Sequence, residues 1–368
     1  MILITILVFL VILTVLVLIH EFGHFITAKI FGIKVEEFGL GFPPRVFGRK
    51  KGETLYSVNA LPIGGFVKLY GEDDAGSGKI SSGKQVTKDL DRAFFSKPIW
   101  QRIVVVVAGV AMNFLLAIAI ATYLFSTQGI PKDGKNVLVT EVEKGTPAQA
   151  AGLKNGDIIE TVNSTKVTDP SALIAYTKTQ LGHEVTLGVK RGDEVVTLKI
   201  TPRVNAPKNE GAMGVAIAPN IYYQKYPFPQ SIFYATKQAG QDSILVVKGF
   251  FDAIKTIVTS FTVPAGVAGP VGMAQLTGEF VKIGPDAVLS LVYMLSLSLA
   301  VLNILPIPAL DGGRLMFIIV EAITRRKVNP RYEAYAHMVG IIVLLGFLAL
   351  VSMKDVSRII SGQSIIPQ

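Results

Sequence analysis

The chain has 368 residues, 50% of them hydrophobic and only 17% charged, with a mean hydropathy of +0.48. Ordinary soluble domains carry about 25% charged residues, so the composition argues against a simple soluble enzyme and equally against a disordered chain. The absence of cysteine excludes disulfides, thiolate zinc sites, iron–sulfur clusters and a cysteine nucleophile; the net charge of +9, in a chain this apolar, points to anionic lipid headgroups and not to a nucleic-acid partner.

Ile2 to Ile19 is apolar except for Thr5 and Thr14, and apolar character resumes from Phe22 to Phe31. One spanning helix over 1–30 is predicted. It lacks the basic start and the small-residue cleavage site of a signal peptide. Residues 31–102 read as a cytoplasmic-side loop carrying membrane-associated β-strands. Thr54 to Val58 and Gly65 to Tyr70 have strand character. The glycine-rich run FGLGFPPRVFG (38–48) reads as a hairpin lying at or dipping into the membrane. Gly71 to Gly83 reads as a polar loop.

A second span covers 103–125, an extracytoplasmic domain 126–220 and juxtamembrane amphipathic helices 221–285. A third span lies in 286–325, with its apolar core from Ala287 to Leu305. The segment 326–368 holds a fourth span, centred on His337 to Val351, and a tail. Arg45, Arg49, Lys50 and Lys51 lie in the first loop, and Arg314, Arg325, Arg326, Lys327 and Arg331 follow the third span. Such basic loops face the cytoplasm, which places both termini and the central domain outside. Within that domain, VLVTEVEKGTPAQAAGLKNGDIIETVNSTKV, a helix near Pro170 to Gln180 and a hairpin at Arg191-Gly192-Asp193 resemble a circularly permuted bacterial PDZ domain. GAMGVAIAP (211–219) is a candidate returning strand. Peptide binding by strand addition and a purely steric plug stay equally open for this domain.

The chemistry sits in the membrane. His20-Glu21-Phe22-Gly23-His24 fits H-E-x-x-H. On a helix, positions four apart share a face, so two imidazoles can hold one Zn²⁺ while the adjacent glutamate takes a proton from water. Ionisable groups at the end of an apolar helix are functional candidates by default. A catalytic zinc needs a third protein ligand, and neither His183 nor His337 is well placed to be one. Asp311, in NILPIPALDGGRL, is the only carboxylate between Ala287 and Val320. Pro306 and Pro308 break the helix ahead of it, and Gly312 and Gly313 give backbone freedom behind it. Asp311 reads as the third ligand, with helix capping as a compatible second role.

HEFGH near the start, NILPIPALDGG near the end and a PDZ-like stretch between them resemble the bacterial site-2 proteases, intramembrane zinc metalloproteases of the regulator-of-sigma-E protease type. The resemblance covers nearly the whole chain and extends to LPIGGFVKLYGED (61–73), VAGVAMNF (107–114) and GPVGM (269–273). It implies an α-helical polytopic membrane protein with four transmembrane helices, a membrane-associated β-hairpin and an inserted α+β PDZ domain. It implies His20, His24 and Asp311 as zinc ligands and Glu21 as general base. It further implies Asn303, Gly64, Gly65 and Asn113 as substrate-binding residues.

Substrates would be single-pass membrane proteins of anti-sigma-factor or remnant-signal-peptide type. The location would be the bacterial inner membrane, with the active site toward the cytoplasm and the PDZ domain outside. That domain would act as a size filter, with a peptide ligand as an alternative. Val110 stands where the family's second-span motif has proline, and the chain has room for one PDZ domain where some members carry two. The competing readings are a non-catalytic PDZ-bearing membrane module and a metal transporter. The intact His20, Glu21, His24 and Asp311 set argues against the first, and the lack of polar residues across several spans against the second.

Overall fold

The computed structural model describes residues 2–72, 89–207, 210–260, 262–264 and 266–361. From residue 73 onward, the loop read at Gly71 to Gly83 lies outside the described residues. The chain divides into two compact units, Met1–Leu124 with Pro227–Gln368, and Phe125–Tyr226. The order begins with α1 (Ile2–Ile30), β1 (Val35–Lys51), β2 (Thr54–Leu69) and α2 (Ile99–Thr127). It continues with β3 (Ile130–Val142), α3 (Pro147–Ala150), β4 (Ile158–Val162), β5 (Thr165–Lys166), α4 (Pro170–Thr179), β6 (Val185–Arg191), β7 (Glu194–Ile200) and β8 (Val215–Gln224). Five helices follow: α5 (Phe228–Ser260), α6 (Pro270–Ile283), α7 (Pro285–Ile304), α8 (Asp311–Thr324) and α9 (Pro330–Ile360).

Four of these helices, α1, α2, α7 and α9, are long and apolar enough to cross a membrane. The fourth is longer than its apolar centre at His337 to Val351 indicates, because Tyr332 to Ala336 and the turns beyond Val351 join the same helix. α1 ends in a Schellman motif: Gly32 takes a left-handed φ of +66°, and the N–H of Ile33 donates to Ala28 O. α1 and α2 approach closely. A Cβ at Gly23 would overlap the backbone of Ala108, so only glycine allows this crossing.

The run FGLGFPPRVFG lies within β1 and reverses the chain, but its arms are not paired with each other: Phe38 to Leu40 and Phe47 to Gly48 flank Tyr56 to Val58 of β2 and run in opposite directions. A further, tight turn joins β1 to β2 at Gly52, where φ is +63°. Phe38 has ladder partners in both Tyr56 and Val67, so the first half of β1 runs between the two halves of β2. The strand segments at Thr54–Val58 and Gly65–Tyr70 are thus parts of one longer bent strand, β2. Glu53 ties this sheet to its surroundings by accepting from Arg92 and from Lys29 at the end of α1. The Arg92 hydrogen bond, reinforced by Lys29, holds the Glu53 carboxyl well below its ordinary range.

The third apolar stretch is discontinuous. α7 stops at Ile304, Leu305–Leu310 forms an irregular connection containing Pro306 and Pro308, and α8 starts at Asp311. Asp311 does not cap this helix. Leu310 occupies the cap position, and Asp311 is the first helical residue, its side chain turned toward α1. Two buried polar ties hold the helices in place. Arg102 of α2 donates through both Nη atoms to Glu321 of α8. Asp355 of α9 accepts from the backbone N–H groups of Gly269 and Gly272 at 2.8 Å each, closing the start of α6. Residues 221–285 hold the end of β8, then one 33-residue helix α5 with Phe228, Phe233, Ile244 and Leu245 exposed, then α6.

The second unit is the PDZ-type fold. Its strand order is β7-β6-β4-β3-β8, with β5 on β4. Val137, Val139, Ile159, Leu173, Leu187 and Val189 form its core. Asp169 caps α4 by accepting from the Ala172 N–H, and Gly192 supplies the β6–β7 turn. The returning strand at GAMGVAIAP is β8, antiparallel to β3 at the sheet edge. Asp157 is buried beneath the sheet and accepts from Arg191 Nε and Nη2 at 2.8 and 2.7 Å. Arg191, with the backbone N–H of Lys154, holds its pKa below the usual carboxylate value. A carboxylate with a depressed folded pKa contributes stability above its unfolded pKa, and that contribution fades as pH falls through the folded value. Asp157→Asn is therefore expected to loosen β4 and β6 at neutral pH, with the difference from wild type closing below about pH 4. Deuterium uptake of these strands in the full-length protein, corrected for intrinsic exchange, measures it.

Candidate metal centre

His20 and His24 lie one turn apart on the buried face of α1, each 8% exposed. Asp311, at the start of α8, completes a triangle with them. Its Oδ2 is 2.9 Å from His20 Nε2 and 3.4 Å from His24 Nε2, and the two Nε2 atoms are 3.2 Å apart. Ligand atoms about 2.05 Å from a tetrahedral zinc stand roughly 3.3 Å from one another, so the donor set fits the ion in chemistry and in spacing. Among the described residues this is the one cluster of three such side chains within ligand range.

The surroundings aim these donors inward. His24 Nδ1–H donates to the carbonyl of Val105 on α2 at 2.8 Å, which leaves Nε2 with its lone pair toward Asp311. Gly109, one turn further along α2, makes room for both rings. A Cβ there would overlap His24 Nε2 and press on His20 Cε1. Glu21 is not part of the triangle. It lines a cavity of about 180 Å³ together with His24, Asp311 and Arg314, which is ample for water beside the cluster.

The sheet reaches the same place. A Cβ at Gly65 would stand 3.5 Å from Val17 Cγ1 and 3.8 Å from Glu21 Cγ, so β2 runs directly along α1 here. Gly64, with φ of +86°, bends the strand just before it. Among the described residues Gly65 to Leu69 has ladder partners on one side only, and Phe66, Val67 and Leu69 line the cavity. Among the described residues, that edge of β2 is unpaired where it borders the cluster.

The two asparagines lie apart from the cavity lining. Asn303 sits in the last turn of α7, ahead of the break. Asn113 is fully buried one turn beyond Gly109, with neither side-chain polar atom hydrogen-bonded among the described residues and its backbone carbonyl accepting from Ser296. Sequence reasoning missed Glu72 and Arg314. Glu72, after β2, pairs with Arg314 across the cavity, and also accepts from the Leu69 N–H. The available signal was position: Arg314 follows Asp311 by three residues on one helix face, and Glu72 belongs to the LPIGGFVKLYGED run.

A membrane protein with HExxH on one apolar helix, a carboxylate on another and an inserted PDZ unit defines a class, the membrane-embedded zinc metalloproteases. The chain belongs to peptidase family M50, whose model matches residues 8–347. It is thus a zinc metalloprotease of the site-2 type. A Clostridium perfringens protein provisionally named a zinc metalloprotease is 36% identical over 345 residues, covering 93% of this chain and 95% of its own. The regulator of sigma-W protease RasP of Bacillus subtilis is 28% identical over 424 residues, covering 96% and 99%. Among solved structures, the PDZ domain of an SdrC-like protein of Listeria monocytogenes covers 23% of this chain and 87% of its own, at 23% identity and a TM-score of 0.21.

Because no side chain fits between α2 and the two imidazoles, Gly109→Ala is expected to displace His24 and weaken zinc retention by at least about tenfold. Zinc content after dialysis against a graded chelator series checks this. Gly240→Ala, at an open position on α5 with no atom near its added methyl, is the matched control.

Proposed function

We propose that this protease cleaves peptide bonds within or beside the transmembrane segments of single-pass membrane proteins, with His20, His24 and Asp311 holding the zinc and Glu21 acting as general base. The observation that carries the reading is the convergence of three ligand atoms beside a cavity that Glu21 and the Phe66 to Leu69 stretch of β2 line. Zinc, when bound, supplies Lewis acidity, lowering the pKa of water and polarising the scissile carbonyl.

The protein's own residues do the rest. A substrate helix shields its peptide bonds, so it must unwind before cleavage. The Gly65 to Leu69 edge of β2 adds the unwound stretch as a strand, with Gly64 and Gly65 keeping backbone close to backbone. Its direction sets the scissile carbonyl beside Glu21, which takes the proton from the attacking water and returns it to the leaving amine. Asn303 and Asn113 steady the substrate backbone or the helices around it. The basic residues of 31–102 and of the segment after α8 support a site that faces the cytoplasm of a bacterial inner membrane, with the PDZ unit outside. There it acts as a filter that admits substrates already shortened by a first cut. Anti-sigma factors are one such class, in keeping with the sigma-W regulator name of the Bacillus subtilis relative.

The test is purified wild type and Glu21→Gln incubated in detergent with a tagged single-pass helix lacking its outer domain, products and zinc read by mass spectrometry. Glu21→Gln is expected to lose cleavage by about 10²–10⁴-fold while keeping its zinc. Equal cleavage by both proteins would remove Glu21 from the mechanism. Cleavage confined to residues outside the helix would remove the intramembrane reading.

A further inference from the structure

Asp311 can meet the two histidines only if the connection before it holds one shape. That connection, Leu305–Leu310, contains an unusual residue: Ala309 has φ of +84°, a left-handed conformation that an L-residue with a side chain adopts only at a cost. Its carbonyl-side neighbours are held within the loop, since Leu310 N–H donates to Ile307 O and Gly313 N–H to Leu310 O. The Ala309 N–H is held from outside. It donates to His337 Nδ1 of α9 at 2.9 Å. α9 also touches the preceding residue, because Gly340, one turn after His337, lies so close to Pro308 that any Cβ would overlap its carbonyl. The ring of His337 packs beside Phe317 of α8, with centroids 6.0 Å apart.

We infer that His337 is a positioning residue for the metal centre: its Nδ1 fixes the left-handed turn at Ala309 and thereby the approach of Asp311 to His20 and His24. This rests on the assignment of Asp311 as a zinc ligand. His337 does not itself touch the cluster, and its other ring nitrogen is buried without a hydrogen-bond partner among the described residues, so the Ala309 N–H is the polar contact it makes. Without an acceptor at this point a buried N–H loses its partner and the turn relaxes toward the right-handed region. The carboxylate two residues on is then carried out of register with the imidazoles. Partners that orient metal ligands are worth about 10–100-fold in metal affinity.

Two substitutions separate the acceptor from the bulk of the ring. Asparagine places Oδ1 where Nδ1 stands, and leucine fills the same space with no acceptor. Full-length wild type, His337→Asn, His337→Leu and Asp311→Ala are compared by chelator competition for zinc and by the visible absorption of the cobalt(II)-loaded protein, which reports ligand geometry. His337→Leu is expected to bind zinc about 10–100-fold more weakly and to give an altered cobalt spectrum, while His337→Asn stays within about threefold of wild type with an unchanged spectrum. If Asp311→Ala loses zinc but His337→Leu binds as wild type does, the role of His337 is overturned and the ligand assignment stands. Equal losses in His337→Asn and His337→Leu overturn it as well, since they reflect packing alone. If Asp311→Ala keeps its zinc, the ligand assignment falls and this inference with it.

Discussion

Two imidazoles and a carboxylate can lie between apolar helices only if they satisfy one another or a shared ion. That constraint organises the membrane unit. It demands that α1 and α2 come close enough for Val105 O to hold His24, which in turn demands glycine at 23 and 109. In the third apolar stretch the carboxylate comes from the first residue of α8, just after the break at 305–310. The arrangement leaves a cavity with room for water, which a hydrolase needs and a close-packed interior would refuse.

What could be read from the sequence follows local chemistry. HEFGH announces its geometry because four residues are one helical turn. The break before Asp311 is legible because two prolines announce it. The PDZ-type unit is legible through turn residues and alternation, as at Arg191-Gly192-Asp193. The strands between the first two spans are harder. Glycine and proline in FGLGFPPRVFG look like a turn, and the chain does reverse there, but the two arms do not pair with each other: Phe38 to Leu40 and Phe47 to Gly48 run in opposite directions on either side of Tyr56 to Val58. The crossing of the halves of β2 around β1 depends on pairings far apart in sequence, which alternation cannot specify. Asp311 reads as a cap by residue type, but the cap position belongs to Leu310 because the carboxylate is drawn toward α1. Position marks Glu72 and Arg314 as candidates one by one, but their pairing, like that of His337 with Ala309, joins separate segments of the chain and is not written in either one.

The helices flanking the centre are tied by polar contacts and not by apolar packing alone. In a bilayer the lipid tails compete with any apolar contact between helices, so packing by itself gives little reason for one arrangement over another. Arg102 with Glu321, and Asp355 with the backbone of Gly269 and Gly272, have no such substitute in lipid. The GPVGM run thereby acquires a physical reason. Gly272 is where a side chain would collide with the Asp355 carboxylate, and Gly269 and Gly272 supply the two N–H groups it holds.

The inserted unit begins and ends on paired strands: Ile130 at the start of β3 faces Gln224 at the end of β8, and the N–H of Tyr226 donates to Phe125 O. Its two ends are therefore side by side, like the two legs of a staple. A segment attached in this way can be excised and its stem closed by a short turn, or repeated end to end, without changing the spacing or the phase of the helices on either side. Between members of the lineage the inserted module is then free to be lost, doubled or exchanged as a cassette, while the helices that carry the histidines and the aspartate keep a single geometry.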